Sequence, residues 1–332
     1  MSAVSVVVPT FNRWDGLEMT LRALGDQTVS RSDLEIVVVS DGSTDGTDEH
    51  LTAGRSPVPV TFVAQSNQGP AAARNAGVAA SHGDLIVFID DDVVAEPGCI
   101  AAHLAAHERA QDPTVVIGPL LTPESVHLNP WVMWEQTALS RQYDAMKRGD
   151  WAPTARQFYT GNASLPRTWF TASGGFDRSF RRAEDVELAY RLSDLGLAFA
   201  FEIEARAFHH AERSYDAWLA NARAYGANDV VFWRDGGQEW LLPAIRAEYR
   251  RRHPLNRAFT RLGLAVPAVG RLTARVAPRW AELIDRLGMA GAGRRTLSAQ
   301  YNLEYYRSLT DELGGVDRFL AIQSAFHTGR VA

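Results

Sequence analysis

The sequence predicts an α/β protein with a mainly parallel central sheet, helices on both faces of that sheet, and a helical C-terminal extension. Across the first hundred or so residues, short runs rich in β-branched residues alternate with segments whose apolar residues recur at helical spacing. The connections are short, so each strand–helix–strand unit is expected to make a right-handed crossover between parallel strands. From Tyr215 onward the helical spacing continues to the end of the chain.

The individual elements follow from that alternation. The predicted strands of the first part are residues 4–8, 35–39, 58–63, 85–89 and 115–117. The predicted helices among them are residues 15–27, 44–52, 70–80 and 97–110. Later predicted elements are helices at 128–148 and 182–195, a polar extended stretch at 158–165, and short strands at 198–201 and 205–208. The C-terminal helices are expected to be interrupted at Pro243, Pro254, Pro267 and Pro278.

Composition places the chain among ordinary globular proteins. Of its 332 residues, 46% are hydrophobic and 22% are charged, which is typical of that class. Cys99 is the only cysteine, so an intrachain disulfide is excluded. The first residues lack the basic start and longer apolar run of a secretory signal. We therefore expect a cytoplasmic protein, with a peripheral position at the inner face of the membrane as an alternative.

Charge is unevenly distributed along the chain. Residues 245–299 contain 12 Arg and three acidic residues, a local balance of +9 in a chain whose net charge is −5. Here Arg257 and Arg261, and then Arg271 and Arg275, share helix faces, with apolar residues facing roughly away. Such helices either lie on an anionic membrane surface or pack on the first domain with solvated arginines. No nucleic-acid partner is expected, because the region lacks any recognisable reading motif.

Polar residues cluster where the predicted strands end. Strand 4–8 leads into PTFNR at residues 9–13, strand 35–39 into SDGSTD at 40–45, and strand 85–89 into DDD at 90–92. In parallel sheets ligands bind beyond the carboxyl ends of the strands. All three segments are therefore expected to open on one edge of the sheet and to form a site there.

Three consecutive aspartates after a buried strand repel one another unless a cation lies between them. On an extended strand Asp90 and Asp92 would point to one side and Asp91 to the other, as a bystander. Hard oxygen ligands suit Mg²⁺ or Mn²⁺, which take phosphate oxygens and waters as their remaining ligands. The alternative is an acidic turn that caps the helix starting near Pro97.

A family resemblance joins these motifs. Residues 6–13 (VVVPTFNR), 38–45 (VVSDGSTD), 69–77 (GPAAARNAG) and 88–92 (FIDDD) resemble the donor-binding half of the family 2 glycosyltransferases. Gly161-Asn162, residues 174–177 (GGFD), residues 184–188 (EDVEL) and Arg191 look like the acceptor-side half. The ordered match covers about residues 3–212.

The resemblance implies an inverting enzyme with the GT-A fold, whose central sheet is Rossmann-like and mainly parallel. It also implies a division of the chain. A GT-A catalytic domain would occupy residues 1–212, with the nucleotide-sugar donor half at 1–118 and the acceptor half at 119–212. A helical extension would then occupy residues 213–332.

The resemblance further implies a nucleoside pocket. Asp41 would accept a hydrogen bond from the imide N–H of uracil or thymine, since a carboxylate only accepts. Pro9, Thr10 and Phe11 would line the same pocket through backbone contacts and an aromatic wall. The alternative for Asp41 is a cap on the helix that follows it, although Asp45 is the better capping candidate.

A diphosphate and cation site is implied beside this pocket. Arg74 would bind a phosphate through its forked guanidinium, Asp90 the ribose hydroxyls, and Asp92 the Mn²⁺ or Mg²⁺ ion. Family 2 enzymes often carry a His that completes the metal shell, and His209 rather than His210 is the prediction here. The alternatives are a solvated Arg74 on an amphipathic helix and a structural role for the histidine.

Inverting transfer also needs a base for the acceptor hydroxyl. In this family the acidic residue of the Glu-Asp motif has that role, which points to Asp185 first and Glu184 second. The alternative is that both are N-terminal helix carboxylates favoured by the helix dipole.

The sequence therefore predicts transfer of a sugar from a nucleotide diphosphate-sugar, preferably a UDP-sugar and next a dTDP-sugar, to an acceptor hydroxyl. The acceptor would be a glycan, a lipid-linked molecule or a small molecule. One rival is a sugar nucleotidyltransferase, but residues 9–13 lack the Gly-rich, basic loop expected of that class. The other rival is a non-catalytic nucleotide-sugar or glycan-binding module, which would need neither a metal pair nor a base.

Overall fold

The computed structural model describes residues 3–123, 128–287 and 289–323. The chain divides into two compact units. The first comprises Met1–Val126 and Leu139–Ala211, and the second comprises His127–Ala138 and Glu212–Ala332. The division at residues 212 and 213 stays a prediction about domains, and the structure adds the short segment 127–138 to the second unit.

The first unit is built on two sheets. Its strands are β1 Val4–Thr10, β2 Leu34–Asp41, β3 Thr61–Gln65, β4 Leu85–Ile89, β5 Val93–Ala95, β6 Thr114–Ile117, β7 Leu120–Leu121, β8 Asn162–Pro166, β9 Ala198–Phe201 and β10 Ala207–His209. Seven of these form the central sheet in the order β3-β2-β1-β4-β8-β6-β9. The pairs β1–β2, β2–β3, β1–β4 and β6–β9 are parallel, which confirms the predicted mainly parallel sheet.

Strand β8 is the exception in this sheet. It runs antiparallel to both β4 and β6, whereas the sequence predicted only a polar extended stretch there. The strand is short and partly polar (NASLP), so it lacks the run of β-branched residues that identified β1 and β2. The sheet therefore joins the predicted donor half to the predicted acceptor half through the β4–β8 ladder.

Helices cover both faces of the central sheet, as predicted. In this unit they are α1 Trp14–Gly25, α2 Thr47–Thr52, α3 Pro70–Ala79, α4 Cys99–Arg109, α6 Arg167–Ala172 and α7 Glu184–Asp194, while α5 Pro130–Lys147 belongs partly to each unit. Leu17, Leu21 and Leu24 of α1 share a buried core with alternate residues of β1. Ala73 of α3 packs with Val37 and Val39 on the other face, because successive strand residues point to opposite sides.

A small second sheet lies beside the end of β4. Its order is β5-β10-β7, with β10 antiparallel to β5 and parallel to β7. Strands β5 and β7 were not predicted because they have only three and two residues. In this sheet His209 lies opposite Val93, which places the end of β10 next to the three aspartates.

The second unit is helical, as predicted for the C-terminal region. It contains α8 Tyr215–Arg234, α9 Leu241–Arg251, α10 Pro254–Ala265, α11 Pro267–Arg286, α12 Ala290–Leu313 and α13 Val316–Ala321. The prediction for residues 324–332 lies outside the described residues. Among the described residues, no helix has the length and hydrophobicity required to traverse a bilayer.

The prolines of this unit mark helix starts more often than breaks. Pro254 and Pro267 are the first residues of α10 and α11, where the missing N–H would lack an intrahelical partner anyway. Pro243 lies in the first turn of α9, just after the non-helical residues 235–240. Pro278 lies inside α11 without ending it, so the interruption predicted there is wrong.

Candidate active site

Two loops after the central strands are tied together at the carboxyl edge of the sheet. The amide N–H of Thr44 donates to Asn12 Oδ1 at 2.6 Å, and that of Asn12 donates to Ser43 Oγ at 3.0 Å. The N–H of Trp14 donates to Asp45 Oδ2 at 3.2 Å. Asn12 adopts a φ of 53° to make this crossing, a conformation that asparagine tolerates better than most residues. The predicted convergence of residues 9–13 and 40–45 is therefore seen.

Asp41 organises the loop in front of α3. Its side chain is buried, and it accepts hydrogen bonds from Gln65 Nε2 at 2.7 Å and from the backbone N–H groups of Gln68 and Gly69 at 2.9 and 2.8 Å. Asp45, rather than Asp41, bonds the first amide of α2, at 3.1 Å. A carboxylate offers about four acceptor positions, so Asp41 has room for one further donor.

The three aspartates do not follow strand alternation. Strand β4 ends at Ile89, so residues 90–92 lie outside the strand and their side chains point in directions that strand alternation does not fix. Asp91 is buried, and it accepts from Thr10 Oγ1 at 2.7 Å and Arg13 Nη1 at 3.0 Å. The same Arg13 nitrogen lies 2.7 Å from Asp92 Oδ2. The prediction of Asp91 as a bystander on the opposite face is therefore wrong.

The neighbouring residues of the predicted pocket differ in exposure. The hydroxyl of Thr10 is committed to Asp91, and Pro9 is half-buried. Phe11 is 48% exposed, so its ring is available as the expected aromatic wall.

The capping alternative for the three aspartates is wrong, because α4 begins at Cys99 and its N-cap residue, Gly98, receives no side-chain hydrogen bond.

Asp92 and His209 form a pair that fits a divalent cation. Atom Nε2 of His209 lies 3.4 Å from Asp92 Oδ1, and the N–H of His210 donates to the carbonyl of Asp92 at 2.9 Å. Burial alone would raise the pKa of Asp92, but the hydrogen bond and charge of His209 and the charge of Arg13 lower it. A charged carboxylate and an imidazole nitrogen are suitable ligands for Mn²⁺.

The protein offers few further ligands there. Within residues 3–123, 128–287 and 289–323, no group of three or more His, Cys, Asp or Glu side chains is arranged to hold a metal ion. Mg²⁺ and Mn²⁺ in nucleotide enzymes commonly take one or two protein ligands and complete their shell with phosphate oxygens and water. The Asp92–His209 pair meets that requirement.

Arg74 bridges two motifs that are far apart in the sequence. Its Nη2 donates to Asp90 Oδ1 and its Nη1 to Glu184 Oε1, both at 2.7 Å. Arg74 and Glu184 are both buried, and Arg74 Nε is buried without a hydrogen-bond partner among the described residues. The alternative of a solvated arginine is therefore wrong. The bridge brings the acidic turn after β4 to the start of α7.

Asp185 follows this bridge at the start of α7. It is half-buried, and it comes directly after Ala183 (φ 59°) and Glu184. Burial and the neighbouring charge of Glu184 raise the pKa of Asp185 to about 7. Both carboxylates lie in the first turn of α7, so the helix dipole also acts on them. A pKa near neutrality is nevertheless the property that a general base requires.

The remaining acceptor-side motifs serve the architecture. Asn75 Nδ2 donates to the carbonyl of Phe176 at 2.8 Å, and the N–H of Phe176 donates back to Asn75 Oδ1 at 2.9 Å. Arg191 donates to the carbonyl of Gly175 at 2.7 Å. These bonds hold the GGFD segment against α3 and α7. They thereby fix the surroundings of the Arg74 bridge.

Asn162 ties several segments behind the site. Its Oδ1 lies 2.9 Å from His103 Nε2, and its Nδ2 donates to the carbonyls of Ala205 at 2.7 Å and Pro119 at 3.1 Å. Burial lowers the pKa of His103 to about 4, so this histidine is neutral. Asn162 thus supports the site from a buried position.

Arg13 is the site residue that the sequence reasoning overlooked. It is the only basic residue in segment 9–13, at the end of strand β1 (Val4–Thr10). A cation in a segment that is expected to meet three aspartates at one sheet edge is the signal that would have identified it.

The comparisons with known proteins show the family of this chain. The family model described as "Glycosyl transferase family 2" matches residues 5–174. The chain belongs to the family 2 glycosyltransferases. The validoxylamine A glucosyltransferase of Streptomyces hygroscopicus subsp. jinggangensis is 31% identical over 227 residues, covering 61% of this chain and 54% of that protein. The pre-mycofactocin glycosyltransferase of Mycobacterium tuberculosis is 29% identical over 232 residues, covering 68% and 46%.

Solved structures support the fold. A mannosyltransferase from Pyrobaculum calidifontis, in complex with GDP-Man and Mn²⁺, has a TM-score of 0.62 at 21% identity, covering 94% of this chain and 87% of that one. S. aureus TarS has a TM-score of 0.52 at 18% identity, with 95% and 55% coverage. The predicted GT-A fold is therefore confirmed. This family 2 chain spans about half the length of the curated relatives it matches.

Proposed function

We propose that this chain is an inverting glycosyltransferase that moves a sugar from a nucleotide diphosphate-sugar to an acceptor hydroxyl. The observation that carries the proposal is the Arg74 bridge between Asp90 and Glu184. The bridge connects the acidic turn expected to bind the donor with the first turn of α7, which carries Asp185. A direct displacement requires the donor and the base to be held close together in a fixed geometry, and the bridge would supply that.

The nucleoside would bind at the edge formed by β1 and β2. Asp41 is fixed by three donors and keeps one acceptor position for a base N–H. Phe11 offers an exposed ring, and Pro9 and Thr10 line the same edge. Uracil is our first choice of base, because its imide N–H complements the acceptor-only carboxylate. Thymine carries the same donor and is the second choice.

The diphosphate and ribose would lie over the acidic turn. Asp92 and His209 would hold Mn²⁺ or Mg²⁺, and Asp90 would face the ribose. When bound, the cation stabilises negative charge on the departing diphosphate. Arg74 would contribute positive charge from its buried position, with both Nη groups bonded to carboxylates.

Asp185 would act as the general base. It would accept the proton of the acceptor hydroxyl as that oxygen forms its bond to the anomeric carbon. The bond from that carbon to the diphosphate oxygen breaks, and the nucleoside diphosphate leaves with the electron pair. Attack from the face opposite the leaving group inverts the anomeric configuration. Glu184 would hold Arg74 and keep the pKa of Asp185 raised by its charge.

A donor panel tests the proposal. Release of nucleoside diphosphate from UDP-, dTDP- and GDP-sugars would be measured by chromatography, with Mn²⁺ and with a chelator. We expect cation-dependent release that Asp185→Asn abolishes while nucleotide binding persists. Asp194→Asn, at the exposed far end of α7, is the matched control and should retain activity. Equal release by Asp185→Asn and the control would remove the base assignment.

The two rival functions give different results in the same assay. A nucleotide-sugar-binding module would bind UDP without releasing it from any donor. A sugar nucleotidyltransferase would release pyrophosphate from a nucleoside triphosphate in the presence of a sugar phosphate. The presence of both the Asp92–His209 pair and a carboxyl group with a raised pKa favours the transferase over either rival.

A further inference from the structure

Helix α11 carries an apolar stripe whose side chains are each about half exposed to solvent. Its members are spaced by three or four residues: Leu272, Val276, Trp280, Leu283 and Leu287. Leu287 is the C-cap residue that directly follows the helix. At about 100° per residue they occupy an arc of about 80° on one side. Their exposed fractions run from 46% at Trp280 to 63% at Leu272. We refer to these five residues as the α11 stripe.

The opposite side of α11 already holds the helix in place. Gly270, Ala277, Ala281 and Ile284 are buried, and α11 packs along α12. An added Cβ on Gly293 of α12 would be 3.5 Å from the carbonyl oxygen of Ala281, so the two helices approach closely. The α11 stripe is therefore not needed for the core of the second unit, and its exposure requires another explanation.

Arginines line one edge of the α11 stripe. Arg271, Arg275, Arg279 and Arg286 are all exposed, and the helical spacing places them along one side of the five apolar residues. They outnumber the acidic residues of the helix, Glu282 and Asp285. An apolar face bordered by Arg and containing Trp and Leu is the pattern of a helix that lies in a membrane interface.

We propose that the α11 stripe and its four bordering arginines form a docking surface for an anionic lipid membrane. The leucines and Trp280 enter the boundary between headgroups and acyl chains, while the arginine heads contact lipid phosphates. This inference concerns the second unit alone and does not depend on the proposed transferase activity. It narrows the predicted membrane contact of residues 245–299 to one face of one helix.

Charge favours lipid over a second copy of the chain. A two-fold contact between two such stripes would bring the same arginine-bordered surface against itself. Like charges would then face one another across the interface, which opposes association. An anionic headgroup layer offers the opposite charge together with an apolar interior, so it complements both parts of the surface.

Vesicle co-sedimentation of the full chain tests the proposal. Vesicles of phosphatidylcholine alone would be compared with vesicles that also contain phosphatidylglycerol, over a range of salt concentrations. We expect binding only to the anionic vesicles, weakening as salt rises. Leu272→Ser combined with Leu283→Ser should weaken binding by about tenfold, because less apolar surface enters the bilayer.

Arginine variants supply a second measurement. Arg275 and Arg279 are exposed, so replacing them is not expected to disturb folding. Arg275→Gln and Arg279→Gln should each weaken binding by about fivefold at low salt. The matched controls are Leu195→Ser and Arg55→Gln, exposed residues of the first unit, which should bind as the unaltered chain does. UDP binding, measured on the same samples, should not change in any of these variants.

Three results would overturn the proposal. The first is equal binding to neutral and anionic vesicles, and the second is no loss of binding in either pair of variants. The third is a lipid-free dimer, seen by analytical ultracentrifugation, that Leu272→Ser with Leu283→Ser dissociates. In that case the occupant of the stripe is a second copy of the chain.

Discussion

The guanidinium of Arg13 lies 2.7 Å from Asp92 Oδ2, while His209 Nε2 lies 3.4 Å from the other oxygen of the same carboxylate. The carboxylate of Asp92 thus contacts both Arg13, which is always positively charged, and His209, which we propose as the second ligand of the cation. A guanidinium and a divalent cation compete for the negative charge of one carboxylate. We therefore expect Arg13 to limit how strongly Asp92 attracts a cation.

Arg13→Gln should strengthen Mn²⁺ binding. Removing one positive charge beside Asp92 is expected to lower the dissociation constant for Mn²⁺ by about threefold to tenfold, given a moderate effective dielectric near the surface. Calorimetric titration with Mn²⁺ in the presence of UDP measures the effect. Arg22→Gln, an exposed arginine of α1 paired with Glu18, is the control. Weaker Mn²⁺ binding by Arg13→Gln would instead assign Arg13 to the diphosphate.

Asp92→Asn should remove the cation dependence of nucleotide binding. The neutral amide is a poor ligand for Mn²⁺, so UDP affinity should no longer rise when Mn²⁺ is added. Asp91→Asn is the comparison, because Asp91 is bonded to Thr10 and Arg13 rather than to His209. Calorimetry with and without Mn²⁺ should show a retained cation effect in Asp91→Asn. The same loss in both variants would contradict the assignment of Asp92.

Sugar transfer should depend on pH through Asp185. The pKa of this carboxyl is raised to about 7, and only its ionised form can accept a proton. The rate should therefore fall as the pH drops below about 7 and level off above it. A pH–rate profile measured at saturating donor concentration tests this. A rate that stays constant from about pH 5 to about pH 8 would exclude Asp185 as the base. This range lies above the ordinary pKa of an aspartate and spans the raised pKa of Asp185.

Asp185→Asn should stabilise the protein at neutral and higher pH. A carboxyl whose folded pKa is raised favours folding while it is protonated in both states, at low pH. That contribution is lost as pH rises from the unfolded value through about 7, and the amide variant avoids the loss. The Tm of the variant should exceed that of the unaltered chain at pH 8 and match it at pH 4, which is about the ordinary pKa of aspartate. Scanning calorimetry at the two pH values measures the difference.

Breaking the Arg74 bridge should be costly. Arg74→Ala leaves Asp90 and the buried Glu184 without their partner, and removal of one member of a buried ion pair costs about 3–5 kcal/mol. Urea unfolding measures the change in the free energy of unfolding. The control is Arg22→Ala, whose exposed pair with Glu18 should contribute about 0–1 kcal/mol. A similar small loss for both variants would show that Arg74 is not a stabilising bridge.

Much of the fold could be predicted because its strands are long and buried. Strands β1, β2 and β4 are continuous apolar runs, and short connections between them leave few topologies open. Strand β8 could not be assigned, because its pairing with β4 and β6 depends on residues far away in the sequence. Strands β5 and β7 were missed because two or three residues carry no periodicity.

The meeting of the loops after β1, β2 and β4 could be predicted, but the hydrogen bonds between them could not. The roles of Asp41, Asp92 and His209 stay predictions. The partners of Asp91 and Arg74 could not be predicted, because each depends on a side chain from another loop. Strand alternation was the wrong guide for residues 90–92, since β4 ends at Ile89 and a turn has no fixed period.

The antiparallel strand β8 has a consequence for any attempt to divide or recombine this protein. It lies between β4 and β6 and pairs Asn162 with Ile89, so residues from after position 119 complete the sheet begun by the first 118. A fragment that ends near residue 118 would leave the buried strand β4 with an open edge, and such edges template aggregation. Residues 1–118 and 119–212, the two predicted halves, are therefore expected to fold together. A replacement for residues 119–212 would succeed only if it brings its own strand with the register of β8.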